Sequence, residues 1–134
     1  MKPELISLQA RGDSRGSLVA IEDHKNVPFD IKRVYYVNGT KEVVSRGFNA
    51  HSEIRQKVIN LYGSCDFLLD DGKTVLTVAL KDPTVGLMVE KMVWHEMHNF
   101  SNDCILLVLA SAHYDEADYI RDYDEFKKLI GAKL

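Results

Sequence analysis

The sequence contains no apolar run of the roughly 18 to 20 residues that a membrane-spanning helix requires. Its opening stretch, MKPELISLQ, has no signal-like apolar region either, so the expected location is the cytoplasm, with no membrane partner. Cysteine is scarce. The two that occur, Cys65 and Cys104, each sit inside an apolar stretch, which suits buried thiols in a reducing compartment rather than a disulfide scaffold. There is no C-x-x-C, no G-x-S-x-G and no glycine-rich loop of phosphate-binding form. A broad basic face is also missing: the formal charge is −3 and the signs are mixed along the chain, so no surface tracks a phosphate backbone and nucleic acid is not an expected partner.

What remains is a chain of 134 residues, 46% hydrophobic and 28% charged. That is enough for one core and too little for two ordinary domains, so residues 1–134 are expected to form a single domain. From residue 31 to 111 short apolar or alternating runs are divided by turn signals, which is a β pattern. The runs are IKRVYYV (31–37), QKVINLYGSCDFLLD (56–70), TVLTVAL (74–80), VGLMVE (85–90) and DCILLVLAS (103–111). Asp70-Asp71-Gly72 between two of them is the clearest hairpin signal, because aspartate and glycine tolerate the positive φ of a tight turn. The N-terminal part adds LISL (5–8), a turn around Gly12-Asp13, and SLVAIE (17–22). Many short strands must curl, or pair with a second sheet, to bury one face. The predicted class is all-β, a jelly-roll or similar barrel. Tyr119, Tyr123, Phe126 and Ile130 recur at helical spacing, with Asp115 near the start and Gly131 as a stop, predicting one C-terminal helix.

Chemistry concentrates in two segments. In Arg46-Gly47-Phe48-Asn49-Ala50-His51, Asn49 and His51 are two apart and share one side of a strand. They either face one cavity, joined by Arg46, Gln56, Asn60 and Tyr62, or bond nearby loops from its rim. In Trp94-His95-Glu96-Met97-His98-Asn99 the histidines are an odd number apart, so a regular strand turns one inward and leaves the other at the rim. Trp94 is either a core filler or a flat floor for a sugar or base. A catalytic transition metal is not expected, since Asn49 and Gln56 offer only amide oxygens, weak ligands for zinc or iron. His51 titrates near neutrality and suits proton transfer beside a carbonyl, with Arg46, Tyr35, Asn49 and His95 as candidates to stabilise the developing oxyanion. Arg15, Arg33 and Arg46 are candidates to hold a diphosphate.

At these residues the chain resembles the sugar-nucleotide 3,4-ketoisomerases of the cupin superfamily. The likeness runs from about residue 5 to 130 and is carried by SRGSLVAIE (14–22), IKRVYYV (31–37), RGFNAH (46–51), GSCDFLLDDG (63–72), VWHEMHNFS (93–101) and YDEADYIRDYDEF (114–126). It implies a cupin or jelly-roll barrel of two antiparallel sheets with a C-terminal helix. It also implies a homodimer, needing neither metal nor redox cofactor, that moves the ketone of dTDP-4-keto-6-deoxyglucose from C4 to C3. The 3-keto product, with the galacto form favoured, would feed an aminotransferase and then surface polysaccharide or glycoprotein glycans. By position, His51 would remove the C3 proton and His95 assist delivery at C4. Tyr35, Arg46 and His95 would line the hexose pocket with Gln56, Trp94 and His98 nearby, and Arg15 and Arg33 would meet the diphosphate. One departure stands out. Many relatives read RG-x-H-x-H, whereas Asn49 occupies the first histidine position, so that site can orient a sugar but cannot exchange a proton. Asn49 would then mark an impaired or engineered active site. The alternatives are a 3,5-epimerase-like cupin and a nucleotide-sugar binding module that has lost catalysis.

Overall fold

A computed structural model describes residues 1–133 of the chain. In chain order come β1 (Leu5–Ser7), β2 (Ala10–Asp13), β3 (Gly16–Val19), β4 (Arg33–Val37), β5 (Arg46–His51) and β6 (Gln56–Tyr62). Next are β7 (Cys65–Asp70), β8 (Val75–Leu80), β9 (Val85–Val89), β10 (Trp94–His98) and β11 (Ile105–Ala110). A 3₁₀ turn (Glu116–Asp118), β12 (Tyr119–Ile120) and α1 (Tyr123–Lys133) complete it.

One sheet has the order β1-β9-β6-β11-β4, a second β12-β5-β10-β7-β8, and β2-β3 form a third, two-stranded sheet. The main core lies between the two large sheets. Val58, Leu87, Leu106 and Val108 from the first meet Cys65, Phe67, Leu69 and Leu80 from the second. Alternation explains β4, whose residues are half-buried and exposed in turn, as expected for a strand with one solvated face. In β6, residues Gln56 to Asn60 are buried on both faces. The reason is a second apolar cluster outside the first sheet, where Leu8, Val27 and Phe29 cover Ile59, Met88 and Leu109. Lys57 is enclosed there and reaches Asn26 O through its ammonium group. Cys65 and Cys104 are free and buried, and burial pushes the Cys65 thiol up to about 12.

The expected two-sheet jelly-roll barrel is corrected by this topology. The sheets number three among the described residues, their strands are antiparallel, and none closes into a barrel. The edge strands of the two large sheets, β1 and β4 in one and β12 and β8 in the other, do not pair with each other, and the outer edge of β5 is taken by β12, with Tyr119 opposite His51 and Ile120 opposite Ala50. The free edge of β4 is left facing a polar gap. The β2–β3 hairpin pairs only with itself and is exposed along almost its whole length.

The same pairing redraws the C-terminal helix. Tyr119 belongs to β12, and Asp115 caps the 3₁₀ turn by accepting from Ala117 N–H at 3.0 Å. The helix begins after Asp122, which accepts from Glu125 N–H at 3.0 Å. Gly131 lies within its last turn rather than beyond it. Phe126 buries itself against Trp94, Ala50 and Ile120, seating α1 on the outer face of the second sheet.

Candidate active site

A cavity of about 360 Å³ opens where the sheets fail to meet. One wall is β4, which contributes Arg33, Tyr35 and Val37; the other is β5 with β10, which contributes Arg46, Asn49, His51 and His95. Tyr119 and Arg121, on and just beyond β12, complete its rim.

The β5 wall is shaped by a bulge. Asn49 pairs with His95 and Gly47 with Glu96, so Phe48 is an extra residue with no partner on β10. Gly47 and Phe48 take φ of 90° and 60°. A Cβ at Gly47 would meet His95 O at 3.0 Å, so only glycine passes there. The bulge turns Phe48 outward and leaves Asn49 and His51 together in the cavity, with Ala50 pointing into the helix-side core.

His51 is almost fully buried, and its Nδ1–H donates to Asp118 Oδ2 at 3.1 Å. The same carboxylate accepts from Ser52 Oγ at 2.7 Å, Glu53 N–H at 2.8 Å and Ile54 N–H at 3.2 Å. Burial opposes the charge on Asp118, but these donors outweigh it and hold the carboxyl below its ordinary range. An ionised carboxylate only accepts, so the His51 proton sits on Nδ1 and Nε2 carries a free lone pair. Burial lowers the His51 pKa, Asp118 pulls it back up, and Arg33 and Arg121 lower it further; the net shift is downward from 6.5.

His95 stacks against His51 with centroids 5.9 Å apart and planes 16° from parallel. Its Nδ1 faces Val93 O at 3.2 Å, and a carbonyl can only accept, so that ring too is protonated on Nδ1. Burial pushes its pKa down to about 4, which keeps it neutral at pH 7. On the facing wall, Gln56 donates to the Tyr35 hydroxyl oxygen at 3.0 Å, leaving the phenolic proton for another acceptor. Burial, followed by the proximity of Tyr119, raises the Tyr35 pKa, so it enters as a hydrogen-bond donor. Asn49 donates to Gly47 O at 3.2 Å, but its Oδ1 is buried with no partner among the described residues, an acceptor left for a ligand hydroxyl.

Among the described residues, three arginines and no acidic residue line the cavity. Arg121 is paired with Glu116, whereas Arg33 and Arg46 are in no ion pair among the described residues. The field favours an anion such as a diphosphate. No group of three or more His, Cys, Asp or Glu side chains among the described residues is arranged to hold a metal ion.

The structure thus brings together Arg33, Tyr35, Arg46, Asn49, His51 and His95, with Gln56 behind Tyr35. It does not bring Arg15, which is exposed on the β2–β3 hairpin and bound to Asp13 at 2.6 Å. Trp94 is buried on the opposite face of its sheet against Tyr123 and Phe126, with its indole N–H on Glu96. His98 is held outside the cavity by Ser45 and Glu96. The structure adds Tyr119 and Arg121 to the cavity rim and Asp118 behind His51, none of them an expected site residue. Helical spacing puts Tyr119 in a helix stripe and Asp115 at its cap, and no local signal reveals the bond between Asp118 and His51, which joins residues 67 apart.

These parts define the class of protein: an all-β scaffold of antiparallel sheets whose cavity is built to take an anionic small molecule and exchange protons with it. The family described as "FdtA: WxcM-like, C-terminal" matches residues 1–131. A TDP-4-oxo-6-deoxy-α-D-glucose-3,4-oxoisomerase of Aneurinibacillus thermoaerophilus is 55% identical over 130 residues, covering 97% of this chain and 94% of that one. A crystal structure of a 3,4-ketoisomerase from Helicobacter canadensis is 45% identical with a TM-score of 0.95, covering 98% of each chain. The 3,4-ketoisomerase QdtA from Thermoanaerobacterium thermosaccharolyticum, solved with TDP, is 39% identical with a TM-score of 0.95, covering 98% of this chain and 96% of that one. QdtA has also been solved as a histidine-to-asparagine variant with TDP-4-keto-6-deoxyglucose, and as a double variant, tyrosine to arginine and arginine to histidine, with TDP. The chain belongs to the TDP-sugar 3,4-ketoisomerase family, WxcM-like and cupin-related.

Proposed function

We propose that the chain converts dTDP-4-keto-6-deoxy-D-glucose to a dTDP-3-keto-6-deoxyhexose, with His51 as the proton carrier. The carrying observation is the buried His51–Asp118 pair, which presents an unprotonated Nε2 in a cavity that also offers arginines and a phenol. Nε2 takes the C3 hydrogen as a proton; the C3–H pair becomes the C3=C4 double bond, and the carbonyl pair moves onto O4. Tyr35 and Arg46 stabilise that oxygen. The hydroxyl proton passes from O3 to O4, a new C3=O forms, and the C3=C4 pair takes a proton at C4. Arg33 meets the diphosphate. The reaction is followed by NMR with dTDP-4-keto-6-deoxyglucose in D₂O. The expected product carries its ketone at C3, whereas a ketone retained at C4 with deuterium at C3 and C5 would mean epimerisation instead.

A second reading, a nucleotide-sugar binding module, is favoured by Asn49. In the QdtA double variant the two replaced positions become arginine and histidine and have the same separation along the chain as Arg15 and His95 here. The offset this sets carries the QdtA histidine that was replaced by asparagine onto Asn49, two residues before His51. That QdtA variant holds the 4-keto sugar. Asn49 therefore supports strong retention of substrate with slow turnover, and the NMR assay separates slow isomerisation from none.

A homodimer completes the proposal. The β2–β3 hairpin exposes Leu18, and the outer side of β4 exposes Val34 and Tyr36. A second copy covering this face would bury them and bring Arg15 toward a cavity it does not reach in its own chain. Sedimentation equilibrium is expected to give twice the chain mass; a monomer at micromolar concentration argues against it.

A further inference from the structure

Resting on the isomerase reading above, we infer that His98, outside the cavity, is a positioning residue: it holds the β5 bulge by both flanks and so sets where Arg46 and Asn49 stand against the hexose. Trp94, Glu96 and His98 are two apart and share the face of β10 turned away from His95. The Trp94 indole N–H donates to Glu96 Oε2 at 2.8 Å, and His98 Nε2–H donates to Glu96 Oε1 at 2.8 Å. A carboxylate only accepts, so the neutral His98 ring leaves Nδ1 to accept from the Ser45 hydroxyl at 2.7 Å. Phe48 meets the same imidazole edge-on, with centroids 5.7 Å apart and planes at 88°.

Ser45 and Phe48 bracket Arg46 and Gly47, and two successive residues here, Gly47 and Phe48, have positive φ. A bulky side chain at positive φ is strained and stays there only where its surroundings fix it. The Phe48 ring is 42% exposed, so burial alone does not fix it, and the edge-on contact with His98 supplies the hold. Arg46 is in no ion pair among the described residues, so its reach into the cavity is set by the backbone that carries it. The support runs back to the core: Trp94 is buried against Phe126 of α1, Glu96 is tied to its indole, and His98 is tied to Glu96.

The two faces of β10 thus divide the work. His95 lines the cavity, whereas His98 acts through the strand beside it. Without the Ser45 bond the chain ahead of the bulge gains freedom, and Arg46 loses its alignment on the sugar oxygen that takes up negative charge. Asn49 Oδ1, the residue after the bulge, moves with it. Arg33 is carried by β4, which does not pair with β5, so the diphosphate contact stays in place. The effect therefore falls on the sugar and spares the nucleotide.

The test uses the whole protein with Ser45→Ala, His98→Gln and the two together; glutamine keeps a donor for Glu96 and loses the ring nitrogen that Ser45 uses. Each single change is expected to lower kcat for dTDP-4-keto-6-deoxyglucose about 10-fold, within the cost of an ångström-scale misplacement. The double variant should fall no further than the weaker single one, because both changes break one bond. TDP affinity, read by titration calorimetry, should stay at the parental value. Parental kcat and KM in the single variants overturn the inference, and so do effects that multiply in the double variant. A loss of TDP affinity matching the loss of turnover also overturns it, since that marks a general loosening of the fold. If the parent itself forms no 3-keto product, the isomerase reading fails and calorimetry decides the inference alone: the affinity that the keto sugar adds to TDP should fall in the variants, and an unchanged gain overturns it.

Discussion

Replacing His51 by asparagine is expected to lower kcat by about 10²- to 10⁴-fold, the range by which a positioned acid–base group accelerates proton transfer. The argument is that no other group on its wall has a proton to trade: His95 is held neutral and Asn49 does not titrate. TDP affinity should change little, because the cavity arginines are untouched, and titration calorimetry reads that directly. Turnover equal to that of the parent would remove His51 from the mechanism.

The pH profile carries the same assignment. His51 acts as a base when neutral, and its pKa is depressed below 6.5 by burial despite Asp118. Activity should therefore rise with pH through a limb lying below 6.5 and stay level above it. The companion change Asp118→Asn removes the carboxylate that raises this pKa, so the limb should move to still lower pH while kcat falls. An asparagine can also accept or donate at Nδ1, which frees the imidazole to take the unproductive tautomer. A purely structural role for Asp118 would leave the limb where it was.

The second large effect runs the other way. Asn49→His is expected to raise kcat by about 10²-fold, the low end of what one added acid–base group supplies. The new imidazole would occupy the cavity position opposite His95 in the strand register, where Asn49 now leaves a buried oxygen without a partner. A second ionisation should appear in the pH profile. An unchanged rate would show that position 49 does not limit turnover. A rate increase with no change in the profile would mean that the histidine merely positions the sugar.

Much of the cavity was legible because strand parity is local. The two-residue spacing of Asn49 and His51 survives the bulge, which falls at Phe48 before them. The odd spacing of His95 and His98 places one in the cavity and the other outside it. Trp94 was ambiguous for the same reason: alternation puts it on the face opposite His95, but nothing local says that α1 covers that face. Arg15 shows the opposite limit, since its block resembles the family while its own chain leaves it in solvent.

Residue order alone located most of the strand runs, the Asp-Asp-Gly hairpin and the placing of Asn49 and His51 on one side, since each depends on neighbours a few positions apart; it read residues 56–70 as one run where the structure has β6 and β7, and Tyr119 as helix where it has β12. Which distant strand took the outer edge of β5 was decided in the folded chain, and Tyr119–Ile120 took it. That contact joins segments almost seventy residues apart, sets Asp118 against His51, and leaves the gap that becomes the cavity. Alternation and turn signals carry no information about such a partner; only the competition among free edges in the folded chain does.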